Sequence, residues 1–468
     1  MTTLDVRAPA TTMAGRQKLT LVLLLGAQFM LAVDFSILNV ALPVIGQGLG
    51  FHLSNLQWIA TAFALAAAGF TLLFGRIADL FGRRRLFLAG MALLGLSSLA
   101  GGLATSPGLL LVARVAQGLA TAIVTPAGLS LLTTSFPEGP LRDRALGLNG
   151  ALMSAGFTSG AVLGGVLTEL LSWRWAFFIN VPVALAVLVA APAVLAESRN
   201  ERRPTMDVPG AVTVTAGLLA LVFGLTQAGE YGFASPAALV GLGAGAVLLV
   251  AFWFAERRAS SPLVPVAILR RPSVKWGNLA GLLAFATETS LVFLMTLYLQ
   301  KVLGYSALAT GLAFGVLGLG TVVGGVGAPR VIGRLGSRTT LITGFAVQAA
   351  ATASLALLGA SQGWIWLLLA ATFVGGVGNM LAIVGFMVTA TSGLPDSEQG
   401  LATGLATMTQ QVGITMGIPV MSAVVTAAMS VDADVLGGVR VAVLVNAALV
   451  LLGIVVSASL RRKPTAAE

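Results

Sequence analysis

Apolar runs of about 20 to 28 residues recur fourteen times along this chain, at 19–43, 56–75, 86–105, 108–134, 145–168, 175–196, 208–228, 236–255, 276–300, 307–329, 339–360, 364–390, 400–428 and 437–459. Each is close to the ~20 residues that a helix needs to cross a bilayer. Lipid offers no water to backbone N–H and C=O groups, so only helices or a closed barrel can span it. Runs this long without alternation read as helices. Composition leaves no soluble alternative: only 9% of residues are charged, against roughly 25% in a soluble domain. The first run is too long for a cleaved leader and has no small-residue cleavage site after it, so the N-terminus is expected to be retained.

Charge sets the expected orientation. With the N-terminus inside, 23 of the 27 Lys and Arg residues fall in inner segments, and the outer loops hold only Arg174, Lys301 and Arg440. This asymmetry places both termini in the cytoplasm and requires an even number of spans. The net charge of +10 reads as loop basicity facing anionic lipid. No basic patch is interleaved with exposed aromatics, so nucleic acid is not an expected partner. The chain has no Cys, and its one His, His52, falls in an outer loop. Disulfides, Cys/His metal sites and Cys nucleophiles are excluded. No cofactor, no metal and no enzymatic activity are expected.

The two ends of the chain read as repeats. Spans 1–6 and 9–14 each carry a basic loop between their second and third helices. The first is the stretch from Gly75 to Arg85 (GRIADLFGRRR), read as a tight turn capping two spans. The second, from Gly333 to Arg338 (GRLGSR), keeps its arginines but has glycine where the acid would be. The fifth helix of each half is laddered with glycine: Gly156, Gly160 and Gly164 in span 5, with Gly165 beside them, and Gly413 and Gly417 in span 13. Residues four apart share a helix face, so these ladders read as flat seams for a neighbouring helix. The expected organisation is a cytoplasmic tail at 1–18, a six-helix bundle at 19–196, two inserted helices with their loops at 197–275, a second bundle at 276–459 and a tail at 460–468.

Four stretches resemble a known family. Gly75, Asp79, Gly82 and Arg83 fall on the strongest positions of the G-x-L-a-D-r-x-G-r-r loop of the major facilitator superfamily, although Leu80 stands where a basic residue is usual. The span-1 string from Val33 to Pro43 (VDFSILNVALP) is similar to the signature of drug:proton antiporters, and Arg114 to Gly118 (RVAQG) to their R-x-x-q-G motif. The string from Trp173 to Pro182 (WRWAFFINVP) resembles that of the fourteen-span branch. One departure touches direction of transport: the antiporter span-5 motif G-P-x-x-G-G reads GAVLGG here, with Ala161 in place of proline. The resemblance implies an all-α integral membrane protein of the major facilitator fold, with two pseudo-symmetric six-helix bundles plus two inserted helices, fourteen transmembrane helices in all.

Three charged residues lie deep inside the apolar runs, away from their ends: Asp34 in span 1, Arg114 in span 4 and Glu288 in span 9. A charge at bilayer centre costs about 2.5–3.5 kcal/mol on insertion scales, so such residues pair, protonate or face a wet cavity. A carboxylate that alternates between dry and wet surroundings can take up a proton in one and release it in the other. Arg114 stays charged throughout. These three are the candidates for proton coupling, with an Asp34–Arg114 ion pair of purely structural role as the alternative. Candidates to line a substrate cavity are Gln28, Phe35 and Asn39 on span 1, Asn278, Phe285 and Thr287 on span 9, and Gln410 and Gln411 on span 13, with Phe29, Thr289, Phe293, Thr407 and Thr409 behind them. Gly75, Asp79, Gly82 and Arg83 form the candidate gating loop. In this superfamily that loop docks on the fifth helix of the opposite half, so Asp79 is expected at the start of span 13, near Ser397 to Gly400, with Arg83 bridging to Asp143.

These features converge on a multi-pass carrier of the cell membrane, acting as a monomer, that exports amphipathic and preferably cationic small molecules in exchange for protons. Proton-coupled uptake of a solute is the nearest alternative, followed by a transporter-like membrane sensor.

Overall fold

The computed structural model describes residues 15–51, 58–136, 140–198, 207–259, 262–264, 266–392, 396–432 and 434–460. Among them the chain is almost entirely helical and holds no strand. Helices α1 (Gly15–Leu49), α2 (Trp58–Phe81), α3 (Arg83–Gly102), α4 (Pro107–Ser135), α5 (Pro140–Leu170) and α6 (Asn180–Val194) make the first half, and a short turn at Trp175–Phe178 leads into α6. Then come α7 (Val208–Tyr231) and α8 (Pro236–Arg258), followed by α9 (Pro272–Leu297). The next helical stretch, Ala307–Ser354, holds two helices, α10 (307–335) and α11 (337–354). The last three are α12 (Ile365–Thr391), α13 (Asp396–Asp432) and α14 (Val435–Ala458).

Local chemistry starts several of these helices. Ser106, Asp207, Ser235 and Ser306 each accept a backbone N–H three residues on, and a proline opens α4, α7 and α8 within their first two positions. These caps satisfy N–H groups that a helix leaves without partners, and they sit where the apolar runs begin.

The stretch from Gly75 to Arg85 is not a loop. α2 continues through Gly75 and Asp79 to Phe81, α3 starts at Arg83, and only Gly82 leaves helical geometry, at φ 116°. One residue of left-handed backbone, open to glycine alone at low cost, turns the chain. Gly336 repeats this with φ 77° inside 48 residues of otherwise helical chain. At 1.5 Å per residue those 48 residues would run about 72 Å, over twice the ~30 Å hydrocarbon core. The break at Gly336 therefore makes two passes, which brings the count among the described residues to fourteen.

The glycine ladders set the internal packing of each half. A methyl group added at Gly156 would lie 2.6 Å from the Phe29 carbonyl oxygen, and one at Gly160 would lie 2.7 Å from that of Val33. In the second half Gly413 meets the Leu282 carbonyl in the same way, at 2.8 Å, and Gly417 meets that of Ala286. α5 thus lies flush on α1 and α13 on α9. Helix α7 sits against both halves. Leu219 packs over Gly69 of α2, and Thr426 of α13 donates to the Gly229 carbonyl at 2.8 Å.

Candidate functional site

Asp34 is fully buried at the middle of α1 and is surrounded by donors from two other helices. Arg114 Nη1 of α4 lies 3.3 Å from its Oδ2, Gln117 Nε2 donates to Oδ1 at 2.9 Å, and Asn180 Nδ2 of α6 donates to the same oxygen. Ser98 of α3 accepts from both amides, at 2.9 and 3.0 Å. Arg114 is itself buried: its Nε donates to the Ile59 carbonyl at 3.0 Å, and Nη1 also reaches Gln117 Oε1 at 2.9 Å. A buried charge is tolerable only when paired and hydrogen-bonded, and this cluster supplies both. The sequence pointed to Asp34 and Arg114. Gln117 and Asn180 stood inside quoted motifs without an assigned role, and Ser98 carried no signal.

A cavity open to solvent lies between the halves. The first half contributes Leu31, Phe35, Phe63, Thr121, Thr125, Met153 and Phe157, among others, and the second contributes Phe285, Glu288, Thr289, Gln410, Gln411, Ile414 and Thr415. Glu288 is the one charged residue among those lining it. Among the described residues no hydrogen bond or ion pair reaches its carboxylate. The Phe63 ring joins the two features, since the Arg114 guanidinium lies over it at 4.3 Å while Phe63 also lines the cavity. Phe35 stands 5.8 Å from Phe63 and 6.0 Å from Phe157, ring centre to ring centre.

Phe35, Phe285, Glu288, Gln410 and Gln411 therefore meet at one cavity, while Gln28, Asn278 and Thr287 do not line it. Gln28 lies a turn beyond that surface, where α4 covers it, and donates to the Thr125 carbonyl at 3.1 Å. Asn278 donates to the Val274 carbonyl at 2.7 Å and accepts from Thr409 at 2.8 Å, so both polar groups are used at the α9–α13 contact. Thr287 is about 100° round the helix from Glu288 and faces α11, where Gln348 donates to its hydroxyl at 3.1 Å. Phe29 packs on Gly156, and Phe293 packs against the α9 core. The side chain of Asn39, like His52, lies outside the described residues.

At the α2–α3 corner Arg83 bridges to Asp79 at 2.8 Å. The Asp143 side chain and those of Ser397 to Gly400 lie outside the described residues. The acid at the start of α3 is Glu197, from the segment after α6: it accepts from the backbone of Arg84 at 3.0 Å and of Arg85 at 3.3 Å. A carboxylate here complements the positive end of the helix. Sequence gave no pointer to it, because more than a hundred residues separate the partners.

The halves touch at the far ends of α5 and α10. A methyl group at Gly165 would lie 2.7 Å from the Ala307 carbonyl oxygen, and one at Gly311 would lie 2.8 Å from that of Ala161. Gly156, Gly160 and Gly164 serve contacts within the first half, whereas Gly165 serves the contact between halves. Beside it Glu169 of α5 accepts from the Leu308 N–H at 3.1 Å, capping α10 across the seam.

The Major Facilitator Superfamily model matches residues 24–418. The cephamycin export protein CmcT of Amycolatopsis lactamdurans is 40% identical over 405 residues, which span 86% of this chain and 83% of that protein. The puromycin resistance protein pur8 of Streptomyces alboniger is 38% identical over 413 residues, covering 87% and 82%. The crystal structure of the human organic anion transporter MFSD10 (TETRAN) aligns with a TM-score of 0.64 at 15% identity, over 95% of this chain and 100% of that one, and so speaks for the fold alone. Fourteen apolar passes in two glycine-seamed halves, with a cavity between them and relatives this similar over most of their length, place the chain in the Major Facilitator Superfamily as a multi-pass membrane protein.

Proposed function

We propose that this chain exports amphipathic, preferably cationic, small molecules across the cell membrane in exchange for protons. The observation that carries this reading is the unpaired Glu288 carboxylate in an aromatic-walled cavity shared by both halves, one phenylalanine ring away from the donor-saturated Asp34–Arg114 cluster. A cation entering the cavity finds one carboxylate and several ring faces, which attract positive charge, and no fixed cation among the lining residues. Export is supported by relatives named for export of, or resistance to, cephamycin, puromycin, lincomycin and tetracenomycin C.

Proton drive is assigned to Asp34. As an anion it holds Arg114, Gln117 and Asn180. A proton on its carboxylate removes the charge those donors complement and loosens α1 from α4 and α6. Differential stability of two arrangements is what lets a bound proton shift a conformational equilibrium. The two halves then rock about the cavity in alternating access, and the Gly82 corner with Asp79 and Arg83 acts as the gate on the basic face.

Expression in a drug-susceptible host, with a panel of cationic and neutral antibiotics, tests export. Everted vesicles carrying a proton-gradient dye test coupling, and the expected result is substrate-dependent collapse of the gradient. Asp34→Asn vesicles that still exchange substrate for protons at the wild-type rate would overturn the assignment.

A further inference from the structure

We infer that Asn180 is the positioning residue through which the protonation state of Asp34 moves α6; this rests on the proton-coupled reading above. The comparison comes from within the molecule. The glycine seams align the halves residue by residue: Gly160 meets the carbonyl of Val33 and Gly417 that of Ala286, while Gly156 meets Phe29 and Gly413 meets Leu282. This register sets Thr287 in the place of Asp34. On the fourth helix of each half, Gly118 meets the carbonyl of Phe63 and Gly376 that of Leu317, which sets Thr372 in the place of Arg114. The second half therefore carries the same joint with no charge in it.

Asparagine is kept at both joints, but its hydrogen bonds differ. Asn446 of α14 donates to the backbone carbonyl of Thr287 at 3.1 Å and to Ser290 Oγ at 2.7 Å. Asn180 of α6 donates instead to the Asp34 carboxylate and to Ser98. Both are fully buried, and each has its side-chain oxygen without a partner, so neither amide is committed through that atom. The uncharged joint shows where the amide goes when no carboxylate competes: to the carbonyl of the residue at the aspartate position. A proton added to Asp34 removes the competing charge and frees Asn180 to take the arrangement of Asn446, which displaces α6 along α1. The groups that face Asp34 are Arg114 and Gln117 from α4 and Asn180 from α6, with Ser98 of α3 holding the two amides and Gly160 of α5 packed on the neighbouring Val33 and Ser36. Arg114 is the one charged group among these. The proton comes from one aqueous face and leaves to the other, with no other bond made or broken.

The native chain has no cysteine, so nitroxides on Lys18→Cys of α1 and Ala193→Cys of α6 report this displacement in the full-length protein without any substrate. The wild-type distance distribution is expected to change between acid and alkaline buffer. Asp34→Asn should abolish the change, Asn180→Ala and Asn180→Ser should abolish it too, and Asn446→Ala should leave it intact. If both Asn180 variants keep the wild-type pH response, or if Asn446→Ala removes it, the inference is overturned while the proton-coupled reading stands. A pH response that survives Asp34→Asn would overturn both, and a pH-insensitive wild-type distance would overturn the inference.

Discussion

Glu288 and Thr287 are neighbours in sequence with opposite fates, and the helix period separates them. One step of about 100° turns Glu288 into the cavity and Thr287 into the polar joint with Gln348 and Asn446. A lone carboxylate in such a cavity discriminates by charge. Glu288→Gln is expected to reduce export of monocationic drugs by about tenfold, the effect of losing roughly 1.4 kcal/mol of charge recognition, and to leave neutral substrates nearly untouched. Parallel resistance profiles with cationic and neutral drugs measure this, and an equal loss for both classes would make Glu288 a structural residue. Gln28 and Asn278 show how residue type alone misleads. Both are polar residues in apolar helices, yet each makes its hydrogen bonds at a helix–helix contact.

Among the elements, α5 depends most on residue size. Its face toward α1 leaves no room for a side chain at Gly156, Gly160 or Gly164. Gly160→Leu is expected to lower the thermal stability of the purified protein by roughly 1–3 kcal/mol, the usual cost of overpacking, and an unchanged melting temperature in detergent would contradict the seam. The α2–α3 corner depends on charge instead. Glu197→Ala leaves the N–H groups of Arg84 and Arg85 without their acceptor, at an expected cost of about 1 kcal/mol. Faster hydrogen exchange in the first turn of α3 is the measurement, and the rest of the helix should be unaffected. The ladders were legible in the sequence, and so was a turn between spans 2 and 3, but not that it narrows to Gly82 alone. The acid that caps α3 was not legible, because nothing local links residue 197 to residue 84.

For the whole molecule the question is what holds the two halves in the observed arrangement. Glu169 caps α10 from the opposite half next to the Gly165–Ala307 contact, on the face away from the arginine-rich corners. The positive-inside asymmetry reads this as the outer face. An anion at a helix N-terminus contributes roughly 0.3–1 kcal/mol, a shift of about two- to fivefold between two populations. Glu169→Gln is accordingly expected to raise external labelling of a single cysteine placed at Phe35 in the cavity, with expression unchanged. Labelling equal to that of the parent protein would remove Glu169 from the closure. Helix α7, in contact with α2 and α13 at once, is itself part of the seam between the halves.

Sequence by itself determined the solvent and the count. Only lipid suits fourteen runs of this length and apolarity, their lack of alternation leaves helices rather than a barrel to satisfy the backbone there, and the glycine spacing marked which faces lie flush. It also found Asp34, Arg114 and Glu288, because a charge in a span is costly enough to stand out. Tertiary structure decided everything that depends on which helices are neighbours. It joined Asn180, Gln117 and Ser98 to Asp34, left Glu288 alone in the cavity, sent Thr287 and Gln28 to other contacts and brought Glu169 to α10. The physical reason is that a lipid-embedded helix carries little polar patterning around its axis. Which face meets protein is settled by packing between distant segments, and the local run of residues does not encode it.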